Sequence, residues 1–79
     1  MTRLTFYANG KYLAMMSVSD NIVPNLGEKV RVNGTYEDMI EPDPGEMYLP
    51  VIDKRIDYSN QAVVIVLDAP SDLRVEVKL

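Results

Sequence analysis

The chain has 79 residues, of which 47% are hydrophobic, and its 12 acidic and 8 basic side chains give a formal net charge of −4. This length predicts one domain over residues 1–79, and the apolar content excludes a disordered chain. The chain contains no Cys and no His, which excludes disulfides and the usual ligands of a structural zinc site. The acidic balance argues against nucleic-acid binding, which depends on Lys and Arg side chains that neutralise phosphates.

The first predicted element is a β-hairpin over residues 3–18. Between residues 3 and 8, apolar and polar side chains alternate, which is typical of a half-buried strand. Asn9 and Gly10 follow, and this dipeptide favours a two-residue turn because both positions tolerate positive φ. Residues 11–18 then form the returning strand.

The next element is a strand centred on Val30 and Val32, which alternate with charged side chains. Asn33 and Gly34 follow it and predict a second hairpin turn of the same kind as the first. Strand character returns in residues 47–58.

Within that strand, Pro50 indicates an edge position or a bulge, since proline cannot donate a ladder hydrogen bond. Residues 62–67 are all apolar, which predicts a strand that is covered on both faces. A last strand over residues 73–79 alternates perfectly.

Together these elements predict an all-β domain, a small antiparallel barrel or sandwich of about five to six strands. Gly27, Glu28, Val30 and Val32 form a Gly-acidic-x-Val-x-Val segment, which is followed by a long loop and two further strands. In this respect residues 26–67 resemble SH3-like small barrels. The resemblance implies a small barrel, a fold that carries many unrelated binding functions.

The residue inventory argues against catalysis. Without His and Cys, the commonest general base and the best protein nucleophile are both absent. A pair of carboxylates would need a cleft to hold it, and so short a chain has little wall from which to build one. We therefore expect no enzymatic activity, no catalytic residues, no cofactor and no metal site.

The most distinctive segment is an acidic loop over residues 37–46, which holds five carboxylates and no basic residue. One hypothesis is that it docks on a basic protein partner or mimics phosphates. A second is coordination of a hard cation such as Ca²⁺, although the spacing matches no calcium loop. The third is a solvated loop whose charge aids solubility. The candidate partner-binding residues are Glu37, Asp38, Glu41, Asp43 and Glu46.

A second candidate set combines tyrosines with arginines. A tyrosine ring offers an apolar face with a polar tip, and a guanidinium forms a planar fork that fits phosphate. The simpler interpretations are tyrosines at the boundary of the core and arginines in cross-strand ion pairs. The candidate ligand-binding residues are Tyr7, Arg31, Tyr36, Tyr48 and Arg55.

The function predicted from these features is that of a small non-enzymatic binding protein that docks on a protein partner. An accessory or inhibitor protein of a virus or mobile element would fit this description. One alternative is an oligomer that binds a nucleotide or similar small anion at a subunit interface. Another is a structural subunit of a larger assembly.

The cellular setting is predicted from what the chain lacks. The N-terminus has no apolar core of a signal peptide, and the longest apolar run, residues 62–67, is too short to cross a bilayer. We expect a cytoplasmic protein with no membrane segment. Self-association is also expected, because a small domain without disulfides or metal gains stability from a partner subunit.

Overall fold

The computed structural model of the chain describes residues 1–36 and 45–77. Its strands are β1 (Thr2–Ala8), β2 (Lys11–Val18), β3 (Lys29–Tyr36), β4 (Gly45–Asp57), β5 (Ala62–Leu67) and β6 (Leu73–Val77). A single 3-10 turn, Asp20–Ile22, lies between β2 and β3. The turn is the only helical segment in the described part of the chain.

The six strands form one sheet in the order β2-β1-β5-β4-β3-β6, and β2 contacts β6, so the sheet curls into a nearly closed barrel. The predicted small all-β barrel is therefore confirmed. Four of the five strand pairs are antiparallel, whereas β1 and β5 run parallel. The long connection between β1 and β5 permits either direction, and side-chain alternation does not encode direction.

The predicted N-terminal hairpin is confirmed. Asn9 and Gly10 adopt φ angles of 54° and 74°, which a type I′ turn requires. The Asn9 side-chain amide also donates a 2.8 Å hydrogen bond to the carbonyl oxygen of Ala69, in the segment between β5 and β6. This contact joins the tip of the hairpin to the segment that follows β5.

A bulge in β2 determines which side chains of the hairpin point toward the core and which point outward. Phe6 pairs with Ala14, whereas the next residue, Tyr7, pairs with Tyr12, so Leu13 is an extra residue on β2. Leu13 and Ala14 both pack against the core as a result. The bulge therefore places Tyr12 beside Tyr7 on the outward side of the hairpin.

The predicted turn at Asn33 and Gly34 is wrong, because β3 continues through both residues. Both pair with β4 on one side and β6 on the other. Gly34 leaves room for neighbouring side chains: a Cβ atom there would lie 2.9 Å from the Met47 sulfur and 3.0 Å from Cδ1 of Leu73, and both side chains would have to shift. Ladders on both sides of β3 override the local turn preference.

Strand β4 joins the two halves of the barrel. It pairs with β3 through Pro50 and with β5 from Val51 onward, and the register shifts between Val51 and Asp53. The bulge expected near Pro50 is thus present, with Ile52 as the extra residue. The Val51 amide donates to the carbonyl oxygen of Glu28 at 2.8 Å, which joins the second half of β4 to the start of β3.

Strand β5 has one buried side and one open side. Val63, Ile65 and Leu67 are buried, whereas Val64 and Val66 are half-buried. The strand is therefore fully covered on one face and only partly covered on the other, whereas the sequence predicts cover on both faces.

The core is wholly apolar among the described residues, with no buried polar or charged side chain. Among the described residues, the polar side chains that could bind a ligand therefore lie at or near the surface. The buried residues are Leu4, Phe6, Ala8, Val18, Val30, Val32, Leu49, Val51, Val63, Ile65, Leu67, Ala69 and Val77.

Candidate binding surfaces

The outward side of β2, β1 and β5 carries a continuous group of aromatic and aliphatic side chains. Tyr7 lies between Tyr12 and Val66 in the register, and Thr5 lies between Met15 and Val64. Tyr12 and Met15 are 59% and 56% exposed, and the others are half-buried. We call this group the apolar face; its members are Thr5, Tyr7, Tyr12, Met15, Val64 and Val66.

The two tyrosines of the apolar face are in contact. Their ring centroids lie 6.0 Å apart with an interplanar angle of 82°, an edge-to-face arrangement that aromatic pairs favour. This contact limits the freedom of both side chains, so that less conformational entropy is lost when a partner covers them.

Strand β4 supplies charged residues along one edge of the apolar face. Asp53 pairs with Val66, and Arg55 pairs with Val64. Arg55 Nε donates to the Asp53 carboxylate at 3.2 Å, so the two charges neutralise each other. Between this edge and the hairpin lies a groove of about 320 Å³, which is lined by Tyr7, Gly10, Arg55, Val64 and Val66.

Asp57 is the next charged residue along the same edge. Its carboxylate accepts a 2.8 Å hydrogen bond from the Asn60 side-chain amide and two more from the backbone amides of Ser59 and Asn60. The hydrogen bond from the Asn60 side chain is the main reason why the pKa of Asp57 lies below its ordinary value of 3.8. The positive charge of Arg3 lowers this pKa further. Asp57 therefore stays ionised and fixes the turn between β4 and β5.

A second surface lies between β3, β4 and the loop that follows the 3-10 turn. Arg31 and Tyr48 are a cross-strand pair, and Tyr48 is 57% exposed. The cleft has a volume of about 360 Å³, and its lining also includes Lys29, Asn21 and Asn25. We call these five residues the basic cleft.

The two cations of the basic cleft have no acidic partner in the part of the chain that the structure describes. No described carboxylate lies within ion-pair distance of Lys29 or Arg31, in contrast to Arg55. The Glu28 carboxylate also lines the cleft, and it accepts a 2.8 Å hydrogen bond from the Asn25 backbone amide. Lys54 Nζ donates to Asn25 Oδ1 at 2.8 Å and so holds the side chain in place.

The structure divides the predicted ligand-binding residues between these two surfaces. Tyr7 and Arg55 share the groove on the apolar face, Arg31 and Tyr48 share the basic cleft, and the two sites have no lining residue in common. The backbone of Tyr36 pairs with Leu73, and its side chain lies outside what the structure describes.

Most of the predicted partner-binding set falls in the undescribed segment. Glu37, Asp38, Glu41 and Asp43 lie outside the described residues. Glu46 is exposed at the start of β4, where its carboxylate accepts a long 3.4 Å hydrogen bond from the Tyr48 hydroxyl.

Sequence reasoning missed several of the residues that form these surfaces. Val64 and Val66 belong to an unbroken apolar run, which carries no signal of sidedness. Tyr12 and Met15 are turned outward by a bulge that has no clear mark in the sequence. Lys29 had a usable signal, because alternation places it on the same side of β3 as Arg31.

A third depression of about 310 Å³, beside Asp20 and Tyr58, contains none of the predicted site residues. Over residues 1–36 and 45–77, no group of three or more His, Cys, Asp or Glu side chains is placed to hold a metal ion. Across the same residues, no helix has the length and apolar character that spanning a membrane demands.

Comparison with known proteins adds no relative. No protein-family model, no curated protein and no solved structure matches the chain.

Proposed function

We propose that this protein is a non-enzymatic binding protein that docks on a protein partner through the apolar face. The observation that carries the proposal is a mostly aromatic and aliphatic group, partly open to solvent on the outward side of the sheet, with charges along its edge. Protein–protein interfaces have this anatomy: an apolar centre rich in tyrosine, surrounded by a polar rim.

The outward side chains of β5 support the proposal because folding does not account for them. An exposed strand normally carries polar residues on its wet side, as β6 does with Arg74 and Glu76. Val64 and Val66 instead present aliphatic surface to water next to Tyr7. Contiguous apolar surface of this kind marks interaction sites in soluble proteins.

The expected partner is a basic protein with an apolar patch of its own. The net charge of −4 attracts cationic partners, and five carboxylates in residues 37–46 add a concentrated negative segment. Such complementarity raises the association rate and excludes acidic competitors. A small accessory or inhibitor protein of a virus or mobile element, which acts by covering a host factor, fits this description.

The direct test is a matched pair of variants used as affinity matrices. Val66→Lys places a charge in the apolar face, whereas Ile52→Lys places the same charge at an exposed aliphatic residue outside that face. We expect the matrices of the wild type and of Ile52→Lys to retain the same partner protein, and we expect the Val66→Lys matrix not to retain it. With that partner purified, Val66→Lys weakens binding by at least about tenfold, or 1.4 kcal/mol. Equal affinity of the two variants overturns the proposal.

Two further measurements identify what kind of protein covers the apolar face. Charge reversal at Glu37, Asp38 and Glu41 is expected to weaken binding and to reduce its salt dependence, while leaving the circular dichroism spectrum unchanged; unaltered binding counts against the basic partner. Light scattering at micromolar concentration measures the self-association expected for so small a domain, and Val66→Lys is expected to leave the oligomeric state unchanged, because the apolar face binds a different protein. A dimer that Val66→Lys dissociates would assign the apolar face to a second copy and contradict docking on a different protein.

A further inference from the structure

The basic cleft contains positive charge that the fold does not use. Lys29 and Arg31 project from the same side of β3, about 7 Å apart along the strand. Water and salt screen the repulsion between these two exposed charges, and an anion or a carboxylate placed between them would remove what is left of it. No described carboxylate does so, although the chain has an excess of acidic residues. An anionic ligand would supply the missing compensation.

Tyr48 adds a flat apolar surface beside these cations. It lies directly across the ladder from Arg31, and the residue is exposed to solvent. Exposed tyrosine rings next to cationic groups stack on nucleobases, whichever base is present. The arrangement places a phosphate-binding fork and a stacking platform within one residue pair.

The size and polar lining of the cleft fit a molecule that carries both groups. Its volume of about 360 Å³ falls within the range of small-molecule sites. Asn21 and Asn25 supply amide groups that donate and accept hydrogen bonds. Asn25 is already oriented by Lys54, whose positive charge strengthens the field over the cleft.

We infer that the basic cleft binds a nucleoside phosphate, with the base stacked on Tyr48 and the phosphate held by Arg31 and Lys29. The cleft is open, and the carboxylates of Glu28 and Glu46 lie near it. These features limit the affinity, and we expect a Kd of roughly 10 µM to 1 mM.

The test is a nuclear magnetic resonance titration of the ¹⁵N-labelled wild-type chain with AMP, adenosine and inorganic phosphate in separate experiments. AMP is expected to shift the amide signals of residues 29–31 and 48 and to saturate. Adenosine and inorganic phosphate are each expected to bind at least about tenfold more weakly. Phosphate that binds as tightly as AMP overturns the stacking role of Tyr48, and an absence of saturable AMP binding overturns the site.

Three variants connect the binding to these side chains. Arg31→Gln and Tyr48→Leu are each expected to raise the Kd for AMP by at least about fivefold. Lys11→Gln is the control, because it makes the same charge change at an exposed residue of the hairpin, outside the cleft. An equal effect of Lys11→Gln and Arg31→Gln would show that AMP responds to net charge and would contradict the inference. The protein-docking proposal is tested separately, since the cleft and the apolar face share no residue.

Discussion

Strands β5 and β3 have similar inward sides and opposite outward sides. Both bury β-branched side chains in the same core, namely Val63 and Ile65 on β5 and Val30 and Val32 on β3. Outward, β5 presents Val64 and Val66, whereas β3 presents Lys29 and Arg31. Because one interior supports both strands, folding determines the inward residues but leaves the outward chemistry free. The outward residues therefore carry the information about binding.

The largest expected effect separates the two sides of β5. Ile65→Thr removes buried apolar volume and places a hydroxyl group in a core without polar partners, so it should cost about 3 kcal/mol or more in the free energy of unfolding. Val66→Thr, one residue further on, exchanges a methyl for a hydroxyl group at a half-buried position that water reaches, and it should cost no more than about 1 kcal/mol. Urea unfolding followed by tyrosine fluorescence measures both. Similar losses for the two variants would mean that β5 has no open side.

A smaller effect separates a turn glycine from a packing glycine. Asn tolerates a positive φ angle better than most side chains but is still strained there, so Gly10→Asn should cost no more than about 1 kcal/mol. Gly34→Asn forces a polar side chain against Met47 and Leu73 and should cost about 2 kcal/mol. Thermal unfolding of both variants is the measurement. A neutral Gly34→Asn would mean that the ends of the Met47 and Leu73 side chains move aside and that packing does not favour glycine at position 34.

Local signals predicted the parts of the fold that depend on local physics. The N-terminal hairpin followed from Asn9 and Gly10, and the bulge in β4 followed from the missing donor of Pro50. The same dipeptide at Asn33 and Gly34 misled the prediction, because hydrogen bonding on both sides of β3 outweighs a turn preference. The parallel pairing of β1 with β5 could not be predicted, because alternation marks the buried side of a strand but not its direction.

The candidate sites were predictable to a different degree. Alternation in the sequence predicts that Arg31 points outward, and this part of the basic cleft was predictable. The cross-strand register that brings Tyr48 beside Arg31 is known only from the structure. The apolar face was not predictable, because Val64 and Val66 look like core residues within a continuous apolar run. A run of this kind shows that a strand is buried on at least one side, and the structure must show whether the other side is open.

The smallest expected effect concerns Asp57, at the edge of the apolar face. Its pKa is lowered in the folded chain, chiefly by the Asn60 side chain, so the ionised carboxylate stabilises the fold at pH values above the ordinary value of 3.8. This stabilisation is lost as the pH falls through the lowered pKa. Asp57→Asn should therefore lower Tm slightly at neutral pH and match the wild type in strong acid.

The control for Asp57 is Asn60→Ala, which removes the largest cause of the shift. The Asp57 pKa, followed by its carboxyl signal in a nuclear magnetic resonance titration, should rise toward 3.8 in this variant. A pKa that Asn60→Ala leaves unchanged would assign the shift to other groups, such as Arg3.

The absence of native cysteine makes thiol labelling the sharpest test of the open apolar face. Single cysteines at positions 65, 66 and 52 compare a core residue, an apolar-face residue and an exposed reference. In the folded protein, Val66→Cys should react within about tenfold of Ile52→Cys, and Ile65→Cys should react at least about a hundredfold more slowly. A thiol at position 66 as protected as the one at position 65 would mean that the outward side of β5 is covered, and it would contradict the proposed docking surface.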